Sequence, residues 1–131
     1  MSEAHLFVYG TLRAGFDGPM ARRLRAEAVL IGPARVKGVL YRIADYPGLA
    51  VGGDDWVTGD LFALPNMAAT LSWLDIYEEC APSFPQPHEY RREICAVEAA
   101  GGAIYAWIYA YARDTTALDK IDGGDFLYPR P

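Results

Sequence analysis

Within the segment 65–80, PNMAATLSWLDIYEEC, the apolar residues Met67, Leu71 and Leu74 recur at steps of four and three, and the next member of the series is Glu78. At about 100° per residue these four side chains fall within roughly 60° of one another, so a carboxylate joins the apolar stripe of a helix. Asp75 and Glu79 turn progressively away from that stripe. A carboxylate on a core-facing stripe must be paired, neutral or directed into a cavity. Near a helix C-terminus, desolvation and the negative end of the macrodipole both favour its protonated form. Proton exchange then moves toward neutral pH, which makes Glu78 a candidate general acid/base. The competing reading leaves Glu78 in water because the helix frays before it, or pairs it with Arg91 or Arg92.

A second candidate lies near the N-terminus. In HLFVYGTLRAG (5–15) a mostly apolar run meets Gly-Thr-Leu-Arg. A strand that ends this way can leave the N–H groups of Gly10, Thr11 and Leu12 unpaired around one concavity, a nest suited to a carboxylate or an oxyanion. Gly10 would let a ligand approach the backbone closely. A plain turn after a strand is the alternative. No Gly-Lys-Ser/Thr follows the glycine, and neither GxGxxG nor GxSxG occurs, so phosphate transfer, dinucleotide binding and serine hydrolysis have no motif here.

The remaining chemistry-bearing residues are dispersed. Cys80 and Cys95 form no CxxC pair, and His5 and His88 lie far apart, so ligand spacing for a structural zinc site is missing and no metal is expected. Two reduced cysteines fit a cytoplasmic protein. Arg22, Arg23 and Arg25 make a local basic run, but a formal charge of −5 argues against nucleic acid, and the run reads as a solvated helix face. The sequence shows no signal-like opening and no apolar run near the roughly 20 residues that span a bilayer, so no membrane association is expected. With 131 residues, 52% hydrophobic and 22% charged, the chain suits one soluble domain, 1–131, with a core of its own.

The elements that must position the two candidates follow from punctuation and period. A buried first strand over 5–9 gives way to a glycine-rich loop and a short helix at about 19–27. The β-branched stretch 29–43 is interrupted at Gly32-Pro33 and Gly38, which predicts bulges or sharp bends of the kind that curl a sheet. Residues 44–55 read as a turn-rich connection, 56–64 as a strand, and 65–80 as the amphipathic helix with Pro65 near its first turn. Three prolines make 81–89 an irregular loop, and strands at about 90–98 and 103–112 flank a Gly101-Gly102 hairpin signal. The tail 113–131 has no period. Strands without regular helix alternation predict an α+β fold with a strongly bent or barrel-like sheet and few helices. The tyrosine-rich strand AIYAWIYAYA reads as core, with a homodimer surface as its alternative.

Four stretches together, FVYGTLRAG, VKGVLYRIADYPGLA, VTGDLFAL and LDIYEECAPSFPQPHEYRR, resemble the γ-glutamylcyclotransferase-like family in order and spacing over roughly residues 5–112. The resemblance implies a small mixed β-barrel flanked by helices, with a cavity at one side. It also implies cleavage of a small-molecule γ-glutamyl amide or amine by intramolecular cyclisation, a lyase or acyltransferase reaction. That reaction releases 5-oxoproline and the free amine without metal or organic cofactor. The family's Leu-Asp-x-x-Glu motif falls on Leu74, Asp75 and Glu78, which makes Glu78 the proton-transferring residue. Its Tyr-Gly-Ser/Thr-Leu loop carries substrate binding over to Tyr9, Gly10, Thr11 and Leu12, and its Tyr-x-Arg to Tyr90 and Arg92. Two departures stand out. Glu79 occupies a position where the family often has glycine, so a second acid could alter the proton affinity of Glu78, and the proline-rich 81–88 segment is longer than in a minimal member. A non-catalytic small-molecule or protein-binding domain on the same fold is the rival reading.

Overall fold

Strand formers and glycines divide the chain into a ring of strands with two helices on its outside. The computed structural model describes residues 4–13 and 15–127; the N-terminal residues 1–3 and the end of the tail, 128–131, lie outside them. The elements are β1 (Ala4–Val8), α1 (Pro19–Glu27), β2 (Val29–Arg42), β3 (Pro47–Leu64), α2 (Met67–Tyr77), β4 (Tyr90–Ala99), β5 (Gly102–Tyr111) and β6 (Asp119–Lys120), followed by a 3-10 turn at Asp122–Gly124. The sheet order is β3-β1-β5-β4-β2-β6, and a further β2–β3 pairing curls it into a ring. Among the described residues, only β1 and β5 pair in parallel, through Leu6 and Trp107. The α+β class and the bent sheet expected from the sequence are both present.

Closure depends on the long β2–β3 ladder. Its register shifts between Leu30 and Gly32 and again between Lys37 and Gly38, at the glycines that interrupt the apolar pattern. Beside Gly38, Lys37 pairs with Trp56 while Gly38 pairs with Val51, so residues 52–55 have no partner in β2. Such extra residues bend a strand and increase its twist. Here the expectation for 44–55 needs correction. The turn is confined to a few residues before Pro47, and β3 runs unbroken from there through Leu64. Pro47 opens the strand, where a missing N–H is tolerated, and Gly52 and Gly53, both at positive φ, absorb the excursion that resembled a loop in sequence.

The apolar run of β1 is buried on both faces. Phe7 and Tyr9 point into the ring with Val36, Leu40, Val57, Leu61 and Ile108. Leu6 and Val8 point outward, where Leu24 of α1 and Leu71 and Leu74 of α2 cover them together with Phe62 and Tyr109. The period-2 alternation of a strand thus serves two cores at once. Glu27 locks the helices together: its Oε1 accepts from Trp73 Nε1 at 2.9 Å and Thr70 Oγ1 at 3.2 Å, and Arg23 binds its other oxygen at 3.0 Å. Arg22 and Arg23 are exposed, as a solvated helix face requires, with Arg22 pairing with Asp17 at 3.4 Å at the surface, and Arg25 donates to the Phe16 carbonyl at 3.1 Å. In β5, Ala106, Ile108, Tyr109 and Ala110 are core, while Tyr105 is 74% exposed. No helix among the described residues is long and apolar enough to cross a membrane.

Candidate active site

The end of α2 is set by tertiary contacts more than by its own sequence. Asn66 caps its start by accepting from the Ala69 N–H, and Glu78 is its C-cap, with φ −83° and ψ 0°. The stripe that singled out Glu78 is shifted from its expected position: Met67 is 41% exposed, and the buried face is Thr70, Leu71, Trp73 and Leu74. One turn beyond that face, Glu78 is part-buried and lines a cavity of about 390 Å³. Among the described residues, no cation or hydrogen-bond donor meets its carboxyl. Arg91 is taken by Glu93 at 2.9 Å and Arg92 by Asp75.

Burial raises the Glu78 carboxyl from its ordinary value to about 7, and the negative charge of Glu89 adds to the shift. The second acid that loads Glu78 is therefore Glu89, eleven residues on, and not the adjacent Glu79. Glu89 accepts from the Tyr46 hydroxyl at 3.0 and 3.2 Å and faces Arg113 at 3.6 Å. Glu79 itself has φ 56°, the left-handed region that favours glycine, so the glycine expected here from the resemblance would suit the backbone better.

Tyr9, Gly10, Thr11 and Leu12 line the same cavity. The turn closes through Arg13 N–H to the Gly10 carbonyl at 3.1 Å, and the N–H groups of Gly10, Thr11 and Leu12 donate to no other described residue. Backbone N–H groups without a partner among the described residues are what an anion nest needs. Gly10 is demanded by close packing, because a Cβ there would stand 2.8 Å from Pro47 Cγ and 2.9 Å from its Cδ. Pro47 cannot retreat easily, since its carbonyl accepts from the Tyr90 hydroxyl at 2.6 Å. Gly10→Ala should therefore displace the cradle and lower kcat/KM by on the order of 10–100-fold while the protein still folds, measured by steady-state kinetics beside circular dichroism.

Buried tyrosines make the walls. The Tyr9 hydroxyl donates to the Tyr109 carbonyl and accepts from the Leu49 N–H, which ties β1, β3 and β5 together at the cavity floor. Desolvation and the charge of Glu78 push the phenols of Tyr9 and Tyr90 well above their ordinary values, so both stay neutral. At the rim, the Thr11 and Tyr77 hydroxyls lie 3.4 Å apart.

Of the residues singled out in sequence, Tyr9, Gly10, Thr11, Leu12, Glu78 and Tyr90 converge on one cavity. Arg92 is not among its lining. Its guanidinium grips Asp75 through Nε at 2.8 Å and Nη2 at 3.1 Å, and the Tyr109 hydroxyl donates to the same carboxylate at 2.7 Å. Asp75 lies one turn before Glu78, so this cluster anchors the helix end that carries it. Sequence reasoning missed Tyr46, Glu89 and Arg13. The first two sit in segments read as loops, and Arg13 buries its guanidinium against Asp125 at 2.6 Å and Asp60 at 3.4 Å beneath the cradle.

A family model described as "Gamma-glutamyl cyclotransferase, AIG2-like" matches residues 6–128. The chain belongs to this family. It is 32% identical over 112 residues to the Gamma-L-glutamyl-butirosin B gamma-glutamyl cyclotransferase of Niallia circulans, covering 84% of this chain and 68% of that one. Among solved structures, YkqA from Bacillus subtilis matches with a TM-score of 0.69 at 25% identity over 95% of this chain, which spans only 39% of YkqA. An AIG2-like protein from Mus musculus matches with the same TM-score of 0.69 at 24% identity, covering 92% of this chain and 86% of that one, and shares the fold. Leu74, Asp75, Glu78 and Glu79 all lie within the residues that the gamma-glutamyl cyclotransferase family model matches.

Proposed function

We propose that this chain converts the γ-glutamyl group of a γ-glutamyl amide or amine into 5-oxoproline and releases the amine, with Glu78 as general acid/base. The observation that carries the reading is a desolvated carboxyl in a cavity also lined by Gly10, Thr11 and Leu12, where neither the carboxyl nor the three backbone N–H groups has a partner among the described residues. The N–H cradle receives the α-carboxylate or the carbonyl oxygen of the substrate. Ionised Glu78 accepts a proton from the α-ammonium, and the freed nitrogen attacks the γ-carbonyl, forming the ring C–N bond. The bond to the departing nitrogen then breaks. Each proton lost by the attacking nitrogen is balanced by one gained by the amine, which leaves as ammonium, and no water is consumed. Holding amine and carbonyl in the ring-closing geometry supplies much of the acceleration, so few side chains are required. Tyr90 bounds the site as a neutral wall and Arg92 acts on it through Asp75. A panel of γ-glutamyl amides assayed for 5-oxoproline should yield product from at least one, and release of free glutamate instead would indicate hydrolysis.

A carboxyl poised near 7 has a signature in pH. Glu78 must be ionised to begin the cycle, so kcat/KM should rise with pH through about 7. Removing the Glu89 charge lowers the proton affinity of Glu78. Glu89→Gln should therefore shift the acidic limb of the profile to lower pH, as read from kcat/KM between pH 5 and 9.

A further inference from the structure

The γ-glutamyl chemistry uses Glu78 and the backbone cradle, yet three further carboxylates, Asp45, Glu79 and Glu89, line the same cavity. Among the described residues, no Lys, Arg or His shares that lining. Asp45 and Glu79 have no side-chain partner among the described residues, and Glu89 is only partly offset by Arg113, 3.6 Å away and half-exposed. Glu78 adds a fourth carboxyl to the same lining, without a partner among the described residues. These carboxylates do not converge as a metal site does, since no group of three or more metal-ligating side chains occurs among the described residues. Their spread around an open cavity suits a chain-like organic cation. Phe16, Tyr46 and Tyr77 add apolar surface between the charges, on which methylene groups can lie.

Resting on the cyclotransferase reading above, we propose that the amine released is cationic beyond the scissile bond, a diamine or polyamine whose second ammonium is received by Asp45, Glu79 and Glu89. The cavity, at about 390 Å³, has room for more than a glutamyl group, and its lining holds carboxylates beyond the one that ring closure needs. An amine carrying a carboxylate would meet like charge there, so the same residues that favour a cation reject an anion. Asp45 and Glu79 are exposed at the cavity opening, so the preference weakens with salt. Glu79 is the decisive member. Its side chain is carried by a backbone conformation that costs free energy for every residue but glycine, and it faces the cavity.

The test compares three γ-glutamyl amides of similar length, made with 1,4-diaminobutane, 1-aminopentane and 4-aminobutanoate. At low ionic strength kcat/KM should follow the order cationic, neutral, anionic, with about tenfold separating the first two. In an Asp45→Asn, Glu79→Gln double variant the cationic-to-neutral ratio should collapse toward one, and 0.5 M salt should narrow it in the native protein. Equal kcat/KM for the three amides, or preference for the anionic one, overturns the inference while leaving the cyclotransferase reading intact. If none of the amides yields 5-oxoproline, that reading fails instead, and calorimetric titration with the same three compounds decides the charge preference separately. Tighter binding of the cationic amide would uphold it, and equal binding would overturn it.

Discussion

Glu78→Gln is expected to abolish most turnover and, at the same time, to make the protein more stable. Loss of a positioned general acid/base typically costs 10²- to 10⁴-fold, and here one carboxyl is asked to perform both proton transfers, so kcat should fall at the upper end of that range. Binding should survive, because the backbone cradle is untouched. The rival reading of a pure binding domain makes the opposite statement about turnover, since it has none to lose. The stability gain follows from linkage. Below pH 4.5 the carboxyl is protonated in both folded and unfolded chains and contributes nothing. Between 4.5 and about 7 the unfolded chain ionises while the folded one retains its proton, so native stability falls as pH rises. Above about 7 the cost of holding a desolvated carboxylate is fully present. A neutral Gln avoids it, and denaturant titration at pH 8 should show Glu78→Gln more stable by roughly 1–3 kcal/mol, with the difference vanishing near pH 4. A variant equally stable at both pH values would mean that Glu78 is solvated after all.

Asp75→Asn should damage both properties. The Asp75 carboxylate receives two guanidinium bonds from Arg92 and one from the Tyr109 hydroxyl, fastening the last turn of α2 to β4 and β5. Removing its charge breaks charge-assisted hydrogen bonds in a partly buried place, with an expected loss of roughly 1.5–3 kcal/mol. Because Glu78 caps the same turn, its carboxyl should drift within the cavity, and a displacement of about 1 Å can lower turnover on the order of a hundredfold. Arg92→Lys keeps the charge and loses the two-pronged geometry, so it should fall between native and Asp75→Asn in both melting temperature and kcat. Loss of stability with kcat unchanged would separate the clasp from catalysis.

The catalytic candidate was legible because its phase is local: Leu71 and Leu74 lie on the buried face at helical spacing from Glu78, although Met67, counted with them, is exposed. What the phase could not supply was the identity of its neighbours. Arg92 and Arg91, both plausible partners by sequence distance, are claimed by Asp75 and Glu93, the first through the placement of α2 beside β4 and the second within β4 itself. Glu89, which loads the site electrostatically, lies at the end of a proline-rich segment and is brought to it by a hydrogen bond from the Ala112 N–H to its carbonyl at 2.7 Å. No periodicity encodes such a contact. Likewise, the bulges at Gly32 and Gly38 could be foreseen from interrupted strand patterns, whereas the extension of β3 back to Pro47 could not. Pro-Gly and Gly-Gly carry the same local signature in a loop as at the start and the bend of a paired strand, and pairing with β2 overrides that signature.

The left-handed backbone at Glu79 also has a consequence on an evolutionary scale. Glutamate and glycine codons differ by a single base, so the relaxed residue is always one mutation away. A library of variants at position 79, selected only for abundance of folded protein, should enrich glycine, because it removes the φ 56° penalty of roughly 1–2 kcal/mol. The same library selected for growth on an amine supplied as its cationic γ-glutamyl amide should keep the acid. The distance between those two enrichments measures how far selection for a substrate holds a chain away from its most stable sequence.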